Sequence, residues 1–212
     1  MRIDFISDIA CPWCALGVAS LEKALQQLGD DFKYELHFQP FELNPDMPKE
    51  GKNLIDYLSS KYGMSAERIA ASHEMLRERG LEVGFVFGHR EQIWNTFDAH
   101  RLLYWADQLG QTNQFALKKA LLRAYHGEGK NPSDKDVLLN LVKEADLDAT
   151  EAESILSSDK FANEVRTLEL QWQQAGINAV PSMVINQRHL LQGAQPMEVM
   201  VQAFKQFQAA VR

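Results

Sequence analysis

The chain has 212 residues and a net charge of −7, with hydrophobic residues at 45% and charged residues at 24%. That balance supports an ordinary globular core, and an acidic chain without a basic cluster argues against a nucleic-acid role. No segment approaches 18 consecutive apolar residues, which argues against a membrane-spanning helix.

The opening MRIDFISDIA lacks the apolar run of a secretion signal, because Asp4 and Asp8 interrupt it. The expected compartment is the cytoplasm. Ile3 to Ser7 alternate and read as a strand. The chain's only cysteines follow, in Cys11-Pro12-Trp13-Cys14. After them Cys14, Val18, Leu21, Leu25 and Leu28 recur at helical spacing. The pair therefore sits where a strand turns into a helix.

The first turn of a helix carries unpaired N–H groups and about half a positive charge. A sulfur held there is favoured as thiolate, and thiols so placed have pKa values of about 3.5–7.5, against about 8.5 when free. Pro12 suits the first helical position, where its missing N–H has no partner to lose. Cys11 is expected as the exposed nucleophile and Cys14, one turn deeper, as the buried resolving thiol, exchanging through a mixed disulfide. Trp13 would cover the pair as an apolar lid. Asp8 would either accept a proton from Cys14 or end the strand and cap a turn.

A C-x-x-C is also half of a zinc site. Zinc needs two further ligands, and the six histidines, His37, His73, His89, His100, His126 and His189, show no H-x3–5-H spacing. No metal is expected. Two inert core cysteines are the plain alternative. In the cytoplasm, where structural disulfides are rare, strand, C-x-x-C and helix together point to redox chemistry.

Tyr34, Leu36 and Phe38 alternate as a second strand, and the prolines of PFELNPDMPKEGKN then break regular structure. From Leu54 to about Gly176 helical patterns dominate. Helices are expected over 54–62 and 65–79, before glycines at 80, 84 and 88 loosen the chain. Another starts near Asn95 or Thr96, and one runs through Phe115 and Tyr125 until HGEGKNP ends it. Ser133 would cap 134–145, Thr150-x-x-Glu153 has capping-box form, and 159–175 is the last helix of the block. Beyond Gly176, 180–185 reads as a strand, Asn186-Gln187-Arg188 as a hairpin turn, and His189 to Gln192 as the returning strand. Pro196 opens a final amphipathic helix. The block's aromatic residues are expected mostly to form a core of their own.

The order β-α-β, helical block, β-β-α, with C-x-x-C after the first strand and Pro before the third, resembles the thioredoxin fold. With the large all-helical insertion it is similar to the DsbA-like superfamily, an α/β class, and within it to the FrnE-like group of polyketide-biosynthesis dithiol-disulfide isomerases. The residues that carry this are SDIACPWC at 7–14, PFELNPDMP at 40–48, NTFDAHRLL at 95–103, VPSMVIN at 180–186 and LLQGAQP at 190–196. The resemblance implies a thioredoxin-fold domain over 1–53 and 177–212, with an inserted helical domain over 54–176. It implies a cis peptide before Pro181, with Val180 free to pair with a substrate backbone. Asn95 and His100 are substrate-binding candidates from the helical block beside Pro12 and Trp13, although five apart they do not share one helix face well, and the plain alternative is that each is solvated or satisfied locally. Ala15, Ala179 and Met183 depart from the residues common in relatives, which bears on substrate preference.

The function expected is thiol-disulfide exchange through Cys11 and Cys14, with no metal or organic cofactor and with glutathione or a thioredoxin system as recycling partner. Two other readings stand beside it. One is a glutathione-dependent isomerase or transferase, related to 2-hydroxychromene-2-carboxylate isomerase and kappa-class glutathione transferase, whose members carry serine where Cys11 stands. The other is a non-catalytic peptide- or ligand-binding module.

Overall fold

The computed structural model describes residues 1–209. Strand β1 (Arg2–Ser7) leads into helix α1 (Pro12–Leu28), and β2 (Glu35–Pro40) returns parallel to β1 with Phe5 opposite Phe38. A two-residue ladder joins β3 (Lys52–Asn53) to β4 (Gln92–Ile93), enclosing α2 (Leu54–Tyr62) and α3 (Ala66–Val83). Then come α4 (Phe97–Gln108), α5 (Gln111–Leu122), a π-helical turn (Arg123–Gly127), α6 (Lys135–Glu144), α7 (Ala149–Leu156) and α8 (Ala162–Gln174). The chain closes with β5 (Ser182–Ile185), β6 (His189–Gln192) and α9 (Met197–Ala209). The main sheet has the order β2-β1-β5-β6, with β5 antiparallel to both β1 and β6.

Alternation along the strands sorts the two faces of this sheet. Ile3, Phe5, Leu36, Phe38, Met183 and Ile185 share one buried cluster with residues of α1, α5 and α9. Ile6 and Val184 point the other way, toward Phe41, Trp172 and Ile177. Asn186 and Gln187 both take left-handed backbone, φ 51° and 57°, and the Arg188 N–H donates to Ile185 O at 3.1 Å. This is the backbone a tight turn of the primed class requires.

The edge of β2 is finished by side chains. Gln111 Oε1 accepts the Leu36 N–H at 2.7 Å, and Gln114 accepts the Phe38 N–H at 2.7 Å while donating to Phe38 O at 2.9 Å. Both glutamines lie on α5, so the helical block is bonded to the sheet through backbone groups of its edge strand.

Several local expectations are corrected. Helix α3 runs four residues beyond 79 and takes in Gly80, because a Cβ there would meet Phe85 O at 2.4 Å and only glycine lets that chain lie against the helix. Ser133 does not cap α6. Its hydroxyl is held by Asn131 and Lys49 O, and Asp134 caps Asp136 and Val137 instead. Thr150 is likewise inside α7, capped by Asp148. The helix through Tyr125 continues as the π-turn to Gly127 rather than stopping at His126. The block's aromatics do not form a core of their own: Phe87, Trp105 and Tyr125 share one cluster with Phe5, Leu21 and Phe204.

Candidate active site

Cys11 occupies the N-cap of α1, with φ −86° and ψ 114°, and Pro12 follows in the first turn. The Cys14 N–H donates to Cys11 O at 3.0 Å, which sets the two side chains one turn apart on the same end of the helix. Both cysteines are free and lie 3.4 Å apart. The Cys11 thiol donates toward Val180 O at 3.7 Å. Gly17 lets α1 approach this loop, since a Cβ there would stand 3.3 Å from Pro181 Cγ. The Val180–Pro181 peptide is cis.

The expected exposure of Cys11 is not found: it is 4% exposed, against 0% for Cys14. The carbonyl of Val180 stands over its sulfur, a contact made from the far end of the chain. Cys14 is set apart by its surroundings. Burial pushes its thiol well above its ordinary range, the neighbouring Cys11 adds to this, and the charge of Lys118 opposes it.

Asp8 ends β1 and is 1% exposed. One carboxylate oxygen accepts from the Ala10 N–H at 3.0 Å and the Thr96 hydroxyl at 2.8 Å, and lies 3.5 Å from His100 Nε2. The other accepts the Leu43 N–H at 2.7 Å. Burial alone would push this carboxyl up, but His100 and the two amides hold it below its ordinary value. Asp8 thus fastens the strand end, the loop after β2 and the start of α4 through its carboxylate, while its backbone bonds the Cys14 sulfur and favours the thiolate.

The other candidates lie on the elements around Asp8 and the head of α1. Asn95 donates to Met47 O at 2.9 Å and accepts the Phe97 N–H at 2.9 Å, joining the 40–48 loop to α4. His100 is buried against Asp8. Trp13 is half-buried, with the Arg79 guanidinium 5.3 Å from its ring centroid.

Three buried groups escaped the sequence reading. Lys118 on α5 is 0% exposed, and its amine has no hydrogen-bond partner among the described residues. Burial pulls it down to about 8, with Cys14, Asp8 and Cys11 pulling the other way. The available signal was a lysine four residues after Gln114 and three before Leu121, on the buried stripe of its helix. His126, in the π-turn, is fully buried and sits 2.8 Å from Ile9 O. A carbonyl only accepts, so Nε2 carries the proton. Burial, then Arg90, hold this ring neutral. The third is the buried pair Glu42 and Glu169, bridged by the more exposed Arg166 on α8. Burial and the nearby Glu169 raise the Glu42 carboxyl to about 8. Among the described residues no cluster of His, Cys, Asp and Glu is arranged to hold a metal ion, and no helix is long and apolar enough to cross a membrane.

The family model for the DSBA-like thioredoxin domain matches residues 2–205. The chain is 35% identical to "probable DsbA oxidoreductase SCO1869" from Streptomyces coelicolor, whose crystal structure superposes with a TM-score of 0.89 over 97% of this chain and 89% of that one. It is 27% identical over 188 residues to "Uncharacterized protein YwbO" of Bacillus subtilis, covering 87% of this chain and 86% of that protein. The cytosolic disulfide reductase DsbM of Pseudomonas aeruginosa, solved with GSH, shares the fold at 16% identity, with a TM-score of 0.66 over 99% of this chain and 100% of that one.

Proposed function

The chain belongs to the DSBA-like thioredoxin domain family, and from that premise we propose that it exchanges thiols and disulfides through Cys11 and Cys14 as a member of the FrnE-like group. The observation that carries this is the pair itself: two free sulfurs 3.4 Å apart at the head of α1, with a backbone carbonyl beside the first.

In the reducing direction the Cys11 thiolate attacks one sulfur of a substrate disulfide. A Cys11–substrate bond forms, the substrate S–S bond breaks, and the second substrate thiolate leaves with the electron pair. Cys14 then gives up its proton and attacks the Cys11 sulfur. The mixed disulfide breaks, the first substrate thiolate leaves, and the protein has lost the two electrons that the substrate gained. Oxidation runs through the same intermediates in reverse. The Val180 peptide orients the substrate backbone, with Pro12 and Trp13 as neighbouring surface. Asn95 and His100 act through the loops and turn they hold rather than by touching substrate. The step needs no metal or organic cofactor. Glutathione or a thioredoxin-type dithiol in the cytoplasm returns the pair to its starting state.

A redox titration against glutathione, with alkylation and mass measurement at each point, tests this. Both thiols should disappear together in one two-electron transition, and Cys14→Ser should accumulate a glutathione adduct on Cys11. Thiols that stay alkylatable at every glutathione poise in the folded protein would show that the pair does not cycle.

A further inference from the structure

Beside Pro12, the middle of α3 and the segment 87–90 close a recess of about 30 Å³. Its apolar walls include Pro12 and Phe87, and its polar groups are His73, Arg77, His89 and Arg90. His73 and Arg77 lie four apart on α3 and so share a face. Gly88 holds the segment against the π-turn, because a Cβ there would run into Gly127 O, and its N–H donates to His126 O at 2.9 Å.

Two carboxylates stand near these groups, and neither lines the recess. Arg77 is bonded to Glu74 at 3.0 Å, and His89 lies 3.3 Å from Glu91. Both carboxylates stand outward, 57% and 77% exposed. Arg90 has no carboxylate within ion-pair distance among the described residues. It lies 4.6 Å from the Tyr125 ring centroid, and its Nη1 is buried without a hydrogen-bond partner. The surrounding charge registers on His73, which burial, then Arg90, Arg77 and His89, all push toward the neutral form. The recess itself is lined by two arginines and two histidines and by no carboxylate, next to the residue that follows Cys11.

We propose that the recess is a subsite for a carboxylate carried by the thiol or disulfide that exchanges at Cys11, so that acidic substrates are preferred over neutral and cationic ones. This rests on the exchange reading above. A guanidinium that lines the recess forms charge-assisted hydrogen bonds with a carboxylate that enters. One water needs about 10–15 Å³, so the space suits a two-oxygen head group, with the rest of the substrate left outside toward Pro12.

The test uses the reduced protein and three disulfides of similar length: 3,3′-dithiodipropionate, bis(2-hydroxyethyl) disulfide and cystamine. The quantity read is the anionic-to-neutral ratio of rate constants, compared between proteins so that the reagents' intrinsic reactivities cancel. Arg90→Met should lower that ratio about tenfold, the scale of one hydrogen bond to a charged group. Arg77→Gln, at an exposed residue, should lower it by a smaller factor, and Lys205→Gln, on α9, should leave it unchanged. In the wild type the ratio should fall as salt is raised, because exposed charges are screened within about 10 Å at 0.1 M. Peptide mixed disulfides with Glu or Gln beside the cysteine identify the source of the acid. A preference confined to dithiodipropionate assigns the recess to small acidic thiols, and one shared by the Glu peptide assigns it to acidic protein segments. A ratio insensitive to both arginine substitutions and to salt overturns the subsite while exchange itself stands. Failure to consume any of the three disulfides overturns the exchange reading and this one with it.

Discussion

Around the cysteine pair the sheet and α1 contribute mostly backbone: the open end of the helix, the Val180 carbonyl at 3.7 Å, and the close approach that Gly17 permits beside Pro181. The helical block contributes side chains: Thr96 and His100 on Asp8, His126 on Ile9 O, and Lys118, whose amine has no hydrogen-bond partner among the described residues. Backbone geometry follows from the fold alone and supplies exchange chemistry of a general kind. Ionisable side chains brought in from another region are specific to this chain, and they act on what that chemistry costs. Burial raises the Cys14 thiol and the charge of Lys118 opposes it, so the two regions meet at the resolving sulfur.

The division breaks most severely at Asp8, where both regions are fastened to one carboxylate. Asp8→Asn removes the charge facing His100 and turns an amide toward the Leu43 N–H. The expected loss is about 3–5 kcal/mol, the scale for breaking a buried pair. Urea denaturation should show one transition shifted as a whole, because both regions share a single buried cluster; a second, separate transition would show that they are independently stable. The sign with pH is set by a depressed folded value. The stabilisation is present above the ordinary 3.8 and is lost as pH falls through the folded value, so variant and wild type should converge in acid.

Lys118→Met sharpens the division by separating stability from chemistry. Lowering a buried lysine from 10.5 to about 8 costs the folded state on the order of 3 kcal/mol below pH 8. That penalty fades as pH rises from 8 to 10.5, where the unfolded chain also releases the proton. In a Cys14→Ser background, which removes the resolving thiol's own titration, the substitution should stabilise by about 3 kcal/mol at pH 7. Its advantage should shrink through that window. With Cys14 present it should slow the resolution of a Cys11 mixed disulfide, seen by stopped-flow with a glutathionylated protein, because the incipient thiolate loses its counter-charge. A faster resolution would assign Lys118 no favourable role at the sulfur.

The smallest effect is expected in the block's outer helices. Asp148→Ala should cost about 1 kcal/mol, as for other N-caps, and Thr150→Ala less than about half that. Neither should alter exchange rates in the thiol assay. A change in rate would extend the functional region well beyond the buried groups named above.

Much of this was readable in the sequence because it is local. Strand, C-x-x-C, Pro12 and helix announce one another within a few residues, and Asn186 with Gln187 signals its turn by residue type. The capping residues went astray by one or two positions, because an aspartate stands just beside each expected cap and the Ser133 hydroxyl is already engaged with Asn131 and Lys49 O. The burial of Cys11 was not readable, since it depends on a carbonyl brought in by the last strands. Lys118 was visible as a lysine on an apolar stripe, but its bearing on Cys14 exists only once α5 has docked. The π-turn left no periodic trace, being a single irregular turn at the end of a regular helix.

The glutamine-finished edge of β2 has a consequence for how this chain tolerates change. Gln111 and Gln114 grip N–H and C=O groups rather than the side chains of Leu36 and Phe38, so the joint is indifferent to which apolar residues fill the strand. It depends instead on an extended strand with its amide protons in place. Leu36→Pro would leave the core pattern nearly intact on paper, yet it deletes the proton that Gln111 holds. The damage would appear at the opposite end of α5, where a loosened helix no longer keeps an ammonium group near a sulfur.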